Sequence, residues 1–235
     1  MDNFIKDIRF SIRTLSKRPG FAFVAIATLA LGICTSTTIF SIVDGVVLRP
    51  LPFEDQGRLF ALFENQQGQP VTDGNVSQKV FLDLQKRIQV FDSMSVYAGW
   101  AFNVTGQGTP EHVEGAKVSA DFFNVLGVPP EIGRGFQTGE DRVGNNHEVV
   151  LSHSFWAEKF GSDRGVLGRT LKMDGVQATI IGIMPDSLRF PEKDTKVWTP
   201  IDINPLKPDD EYSVLRTIGR LKRDMAPGQA QAQLQ

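Results

Sequence analysis

Residues 21–43, FAFVAIATLALGICTSTTIFSIV, run for 23 positions without a charged side chain. As a helix this stretch rises roughly 35 Å, enough to cross a hydrocarbon core of about 30 Å with some tilt. No other run in the 235-residue chain is comparably long and apolar. The sequence reads as one membrane span carrying a large domain outside the lipid.

The flanks give an orientation. Residues 1–20 carry five basic side chains (Lys6, Arg9, Arg13, Lys17, Arg18) against Asp2 and Asp7, a net of +3, so the rest of a chain totalling −2 sums to −5. A basic leader before a span and a mildly acidic domain after it fit a cytoplasmic N-terminus and an external domain. Such a domain lacks the clustered basic surface that nucleic acid requires, so no nucleic-acid partner is expected. Within the leader, Phe4, Ile5, Ile8, Ile12 and Leu15 form a helical stripe opposed by basic side chains. That pattern predicts an amphipathic helix at 1–19 lying on anionic headgroups; a plain solvated basic leader is the alternative. Pro19-Gly20 breaks it, letting the chain turn into the span expected at 20–45.

The lone cysteine, Cys34, lies inside the run, so no intrachain disulfide can form. The bulky Ile33 before it argues against a lipid-modified cysteine, and no small-x-small site closes the run as a cleaved signal would need. A retained signal-anchor helix is the reading that remains. Ala25, Thr28, Gly32 and Ser36 make a small-residue face that would let another helix approach closely, although small residues are also common in membrane helices generally. Thr35, Ser36, Thr37 and Thr38 add hydroxyls that a helix packed against partners could use. The exit, Arg49-Pro50-Leu51-Pro52, ends the helix because each proline turns its predecessor away from α.

Beyond the span, short apolar runs alternate with helical patches. Strands are predicted at 58–64, 93–98, 113–118, 148–151 and 212–222, and an edge strand at 197–201. Ser77 is placed to cap a helix reaching about Gln89. Residues 102–108 are a Gly-rich break, 120–126 a short helix stopped by Gly127, 133–144 a polar loop and 152–160 a helix. Asp174-Gly175 between 169–173 and 177–183 is a hairpin signal. Pro227 opens a last helical patch that reaches Gln235 without a cap, so the pattern is expected to continue beyond it.

Catalytic signatures are missing. The sequence has no Gly-Lys dipeptide and hence no phosphate-binding P-loop, and it has no G-x-S-x-G elbow. Gly133, Gly135 and Gly139 have the wrong spacing for a dinucleotide fingerprint. His112, His147 and His153 show no ligand spacing, and with Cys34 in the span no Cys/His metal site can assemble. Glu111-His112, His147-Glu148, Glu140-Asp141 and Asp209-Asp210-Glu211 read as solvated groups. Phe122, Phe123, Phe155, Trp156 and Trp198 read as core. No catalytic, cofactor-binding or metal-ligating residue is assigned, and no enzyme is expected.

Several segments resemble one family. R-T-L-S-K-R-P-G-F at 13–21, L-A-L-G at 29–32 and T-x-I-F-S-I-V-D-G-V-V-L-R-P-L-P-F at 37–53 are similar to the first transmembrane helix of MacB-like and FtsX-like ABC transporter permeases, in their duplicated-permease branch. V-E-G-A-K-V-S-A-D-F-F-N-V-L-G-V-P-P at 113–130, V-V-L-S-H-S-F-W at 149–156, G-R-T-L-K-M-D-G at 168–175, I-I-G-I-M-P at 180–185 and I-G-R-L-K-R-D-M at 218–225 resemble that family's periplasmic core domain.

The resemblance implies an α+β architecture: amphipathic helix, single transmembrane helix, then a periplasmic core domain over 46–235. That domain would combine a porter-like α/β part (54–100 and 212–235) with an inserted β-rich subdomain (101–211). It implies a non-catalytic permease fragment in the bacterial inner membrane that transmits motion between a cytoplasmic ATPase and the periplasm for efflux or lipoprotein-type transport. Its implied partners are the lipid bilayer, further transmembrane helices, a separate ATPase subunit that alone would handle ATP, and a second copy of the chain. A membrane-anchored periplasmic binding or signalling module is the competing reading, and a tethered hydrolase would require Glu140, Asp141 or His147 clustered and buried.

Overall fold

The computed structural model describes residues 19–43, 53–63, 75–106, 109–203 and 215–234. The predicted leader helix, the proline-rich exit and Asp209–Glu211 lie outside them. Two compact units are present, Met1–Leu51 and Pro52–Gln235, and each is described by itself.

In the first unit the expected span is a 25-residue helix, α1 (Pro19–Val43). Phe23, Val24, Ile26, Leu29, Leu31, Ile33 and Phe40 are all exposed on it. Those positions surround the helix rather than form a stripe. The threonines turn inward on their own backbone. Thr28, Thr35 and Thr38 donate to the carbonyls of Val24, Leu31 and Cys34 at 2.9, 2.9 and 2.8 Å, so these hydroxyls need no neighbouring helix. Taken over the described residues alone, no helix is long and apolar enough to cross a membrane.

The second unit is built on a ten-stranded sheet. Strands β1 (Leu59–Leu62) and β2 (Asn75–Val76) both pair antiparallel with β10 (Leu215–Leu221), which also pairs with β3 (Phe91–Thr105). The expected pairing of the 215–221 segment beside 59–62 is found, with Leu59 opposite Arg220. Helix α2 (Gln78–Arg87) starts at Ser77, whose Oγ accepts from the Val80 amide at 3.3 Å, and ends two residues short of the expected Gln89. Its apolar face joins Leu62, Val76, Phe81, Val90, Val96, Leu215 and Leu221 in one core.

From β3 the sheet curls until it meets itself. β3 pairs with β4 (Glu111–Val118), β4 with β9 (Val197–Pro200), β9 with β6 (Glu148–Ser152), β6 with β8 (Val176–Met184), β8 with β7 (Thr170–Met173), and β7 returns to β3 through Val104 opposite Met173. Residues from all six strands meet in one apolar cluster, from Phe102 and Val104 through Val113, Val149, Leu151, Leu171 and Ile180 to Val197. Closure leaves these strands few free edges and fills the interior with side chains. The β7–β8 turn is Asp174-Gly175 with φ of 48° and 85°, the mirror-image turn that the dipeptide predicts. Gln137–Gly144 remains a loop, preceded by the short β5 (Ile132–Gly133) on β8. Two further helices, α3 (Phe122–Leu126) and α4 (His153–Phe160), follow β4 and β6, and α5 (Pro227–Leu234) follows β10.

Two expectations fail here. The 197–201 segment is no edge: β9 lies between β4 and β6, and all four of its residues are buried. Residues 102–105 are no break but the end of a 15-residue strand, because eight cross-strand pairs to β4 hold β3 extended past its glycine. Phe102 and Val104 are needed inside the closed ring, and that burial outweighs the local turn signal.

Candidate functional site

The groups singled out by sequence do not converge into a catalytic set. His112 Nδ1 meets Asn103 Oδ1 at 3.3 Å on the surface, while His153 Nδ1 meets Glu131 Oε1 at 2.6 Å. Asp141 accepts from the Ala120 amide at 3.0 Å and so ties the polar loop to the start of α3. No group of His, Cys, Asp or Glu among the described residues could hold a metal ion. The five aromatics read as core are all buried.

Glu140 and His147 do line one shallow pocket with Glu148. Glu140 is held there by Arg134, whose Nη1 and Nη2 donate to its two oxygens at 3.0 and 2.7 Å, and by the Gln137 amide at 2.8 Å. Burial pushes Glu140 up, but the Arg134 hydrogen bonds and that amide outweigh it and hold its pKa below the usual carboxylate value. Glu148 goes the other way. Burial first and the Glu140 charge second push its pKa up, and its Oε2 has no hydrogen-bond partner. The fork of Arg134 fastens the loop and leaves no nucleophile–base pair.

A second cluster stands where the chain enters the unit. Arg220, on β10, is 8% exposed. Its Nε donates to the Val125 carbonyl at 2.7 Å and its Nη1 to the Glu54 carbonyl at 2.7 Å. One guanidinium thus caps the last turn of α3 and grips the entry segment at once. Gly127 makes this fit possible. It ends α3 at φ 68°, and a Cβ there would lie 2.8 Å from Glu54 Cβ and 3.0 Å from Arg220 Nη2. Arg58, one residue before β1, adds Nε to the Leu221 carbonyl at 2.7 Å and an ion pair to Asp92. Burial, then the neighbouring Arg58 charge, lowers the Arg220 pKa from the usual arginine value. Phe53 packs edge-on to Phe190 at 5.6 Å, and Phe190 in turn contacts Tyr97 and Phe122. The first six described residues of this unit are therefore pinned at three points.

Sequence reasoning did not single out Glu54 or Arg220. The available signal was one of two arginines, Arg216 and Arg220, in the strand-forming stretch Leu215–Leu221, where a buried charge is expected only with partners. Beside this junction, Glu54, Phe123, Asn124, Gly127, Pro129 and Phe136 help line a cleft of about 530 Å³.

The model of the MacB-like periplasmic core domain matches residues 22–235. The chain belongs to this family. It is thereby a member of the MacB-like ABC permease family, whose core domains are extracytoplasmic parts of membrane permeases. The MacB-like fold is seen again in solved structures. The periplasmic region of MacB from Actinobacillus actinomycetemcomitans superimposes with a TM-score of 0.58 at 15% identity, over 75% of this chain and 79% of that one. The extracellular domain of the noncanonic ABC-type transporter YknZ from Gram-positive bacteria gives 0.51 at 12%, over 74% and 86%. A domain from Porphyromonas gingivalis gives 0.54 at 17%, over 75% and 81%. Among curated proteins none matches the sequence.

Proposed function

We propose that this chain is the first transmembrane helix and periplasmic core domain of an ABC-type permease, a non-enzymatic part that carries motion between a cytoplasmic ATPase and the periplasm. The observation that carries the reading is the order of parts. An uncharged run of 23 residues precedes a MacB-like core domain, and the family match begins at residue 22, inside that run. The basic leader supports a cytoplasmic N-terminus and a core domain outside the inner membrane. Partners of the proposed assembly are the bilayer, further transmembrane helices, an ATPase subunit that binds the ATP, and a second copy of the chain.

The division into a porter-like part (54–100 and 212–235) and an inserted subdomain (101–211) belongs to the same proposal. Its support is that one apolar core draws mainly on 60–98 and 215–230, while the closed ring draws on 102–197. Strand β3 runs through both and would make them move together. A mechanical part needs a stiff body and a firm attachment to the segment that pulls it, and the pinned entry at Phe53, Glu54 and Arg58 supplies that attachment. Alkaline phosphatase fused after Gln235 in a bacterial host tests the arrangement: an active fusion is expected. An inactive phosphatase, with a cytoplasmic reporter active at the same position, would overturn it.

A further inference from the structure

Arg220 has one donor too many for the arrangement seen. Nε and Nη1 are used, but Nη2 is buried and has no hydrogen-bond partner. An unmet donor on a buried cation is costly enough to require a reason. The Glu54 carboxylate is close by. A point at the Cβ position of Gly127 lies 3.0 Å from Arg220 Nη2 and 3.4 Å from Glu54 Oε2. The two charges therefore border the same Gly127 Cβ position without forming an ion pair. The Glu54 side chain is exposed and lines the cleft with Gly127, so it is free to swing.

We propose that Arg220 is a two-position latch for the segment leaving the membrane helix. In the first position, the one described, Nη1 holds the Glu54 backbone carbonyl. In the second, the segment shifts across Gly127 and Nη2 takes the Glu54 carboxylate. The shift requires no new partner, because both groups lie within 3.4 Å of the Cβ position that Gly127 leaves empty. Glu54 lies eleven residues beyond Val43, the end of α1, so tension from the membrane side reaches it before any strand of the core. This deepens the proposed mechanical role by naming the residue that converts a pull into a change of contacts.

The test uses the full chain in lipid nanodiscs in a Cys34→Ser background, with spin labels at Gly57 and Val176. A Cβ at Gly57 meets nothing within 4 Å, and Val176 is the exposed first residue of β8. Two separations are expected in the otherwise native protein, collapsing to one in Glu54→Gln, with Arg220→Lys behaving like Glu54→Gln. If the lysine variant does not fold, Glu54→Gln still decides, because its carboxylate makes no hydrogen bond in the first position. A single separation that Glu54→Gln leaves unchanged overturns the latch. That outcome is independent of which side of the membrane the domain occupies, so the phosphatase experiment stands or falls separately.

Discussion

Arg220 Nη1 donates to the backbone carbonyl of Glu54 at 2.7 Å across 166 residues of sequence. The two ends of the core unit are fastened together by that contact and by the β1–β10 pairing next to it. Replacing Arg220 with Met keeps bulk but abandons the carbonyls of Val125 and Glu54. Unmet buried carbonyls put the expected loss at about 2–4 kcal/mol. Glu54→Ala keeps the backbone carbonyl and is expected to fall within about 0.5 kcal/mol of the native protein. Urea unfolding in detergent checks both.

Gly127 is the position where backbone and packing agree. A side chain there adopts φ 68° and drives a Cβ to within 2.8 Å of Glu54. Gly127→Ala is expected to destabilise by about 1–2 kcal/mol from the left-handed backbone alone, and by more because Arg220 must move. Gly57→Ala, in open space, is the control and should be close to neutral. Melting temperatures of the two variants make the comparison.

The closed ring depends on a close approach of β4 to β9. A Cβ on Gly115 would fall 2.6 Å from the Val197 carbonyl oxygen and 2.8 Å from Phe102 Cε2. Gly115→Ala is therefore expected to cost about 1–3 kcal/mol through overpacking. Denaturant midpoints at constant slope would show this as lost stability rather than a changed unfolded state.

Glu148 gives a pH dependence with a definite sign. Its pKa is raised in the folded protein, first by burial and then by the Glu140 charge. The folded state binds its proton more tightly than the unfolded chain does. Stability from this group is complete below the ordinary glutamate pKa and is lost as pH rises through the raised folded value. Glu148→Gln removes the buried charge, so it is expected to stabilise the protein at pH 7.5, with the gain vanishing at pH 4. Unfolding of both proteins at the two pH values measures it.

Much of the fold was legible because local signals agreed with burial. Ser77 and Ser152 cap the helices that follow them, Gly127 stops α3, and Asp174-Gly175 turns the β7–β8 hairpin. The sequence misled where a long-range pairing overrode a local signal. Phe102–Thr105 sits among glycines yet is held extended by β4 and β7. Val197–Pro200 reads as an edge, but its position between β4 and β6 is set by a parallel crossover that no local pattern encodes. The junction was the least legible feature. The Glu54 contact is to a backbone carbonyl, which carries no side-chain signature, and its partner is 166 residues away.

On the proposed arrangement α1 carries the core domain across a membrane, with the leader left behind. Single cysteines at Ser11 and Val143 in a Cys34→Ser background test it, probed with a membrane-impermeant maleimide on intact spheroplasts. Val143 is exposed on its loop, so it reacts wherever the reagent reaches it. Labelling is expected at position 143, with protection at position 11 until the membrane is opened. Labelling at 11 with protection at 143, or protection at both until lysis, would contradict it.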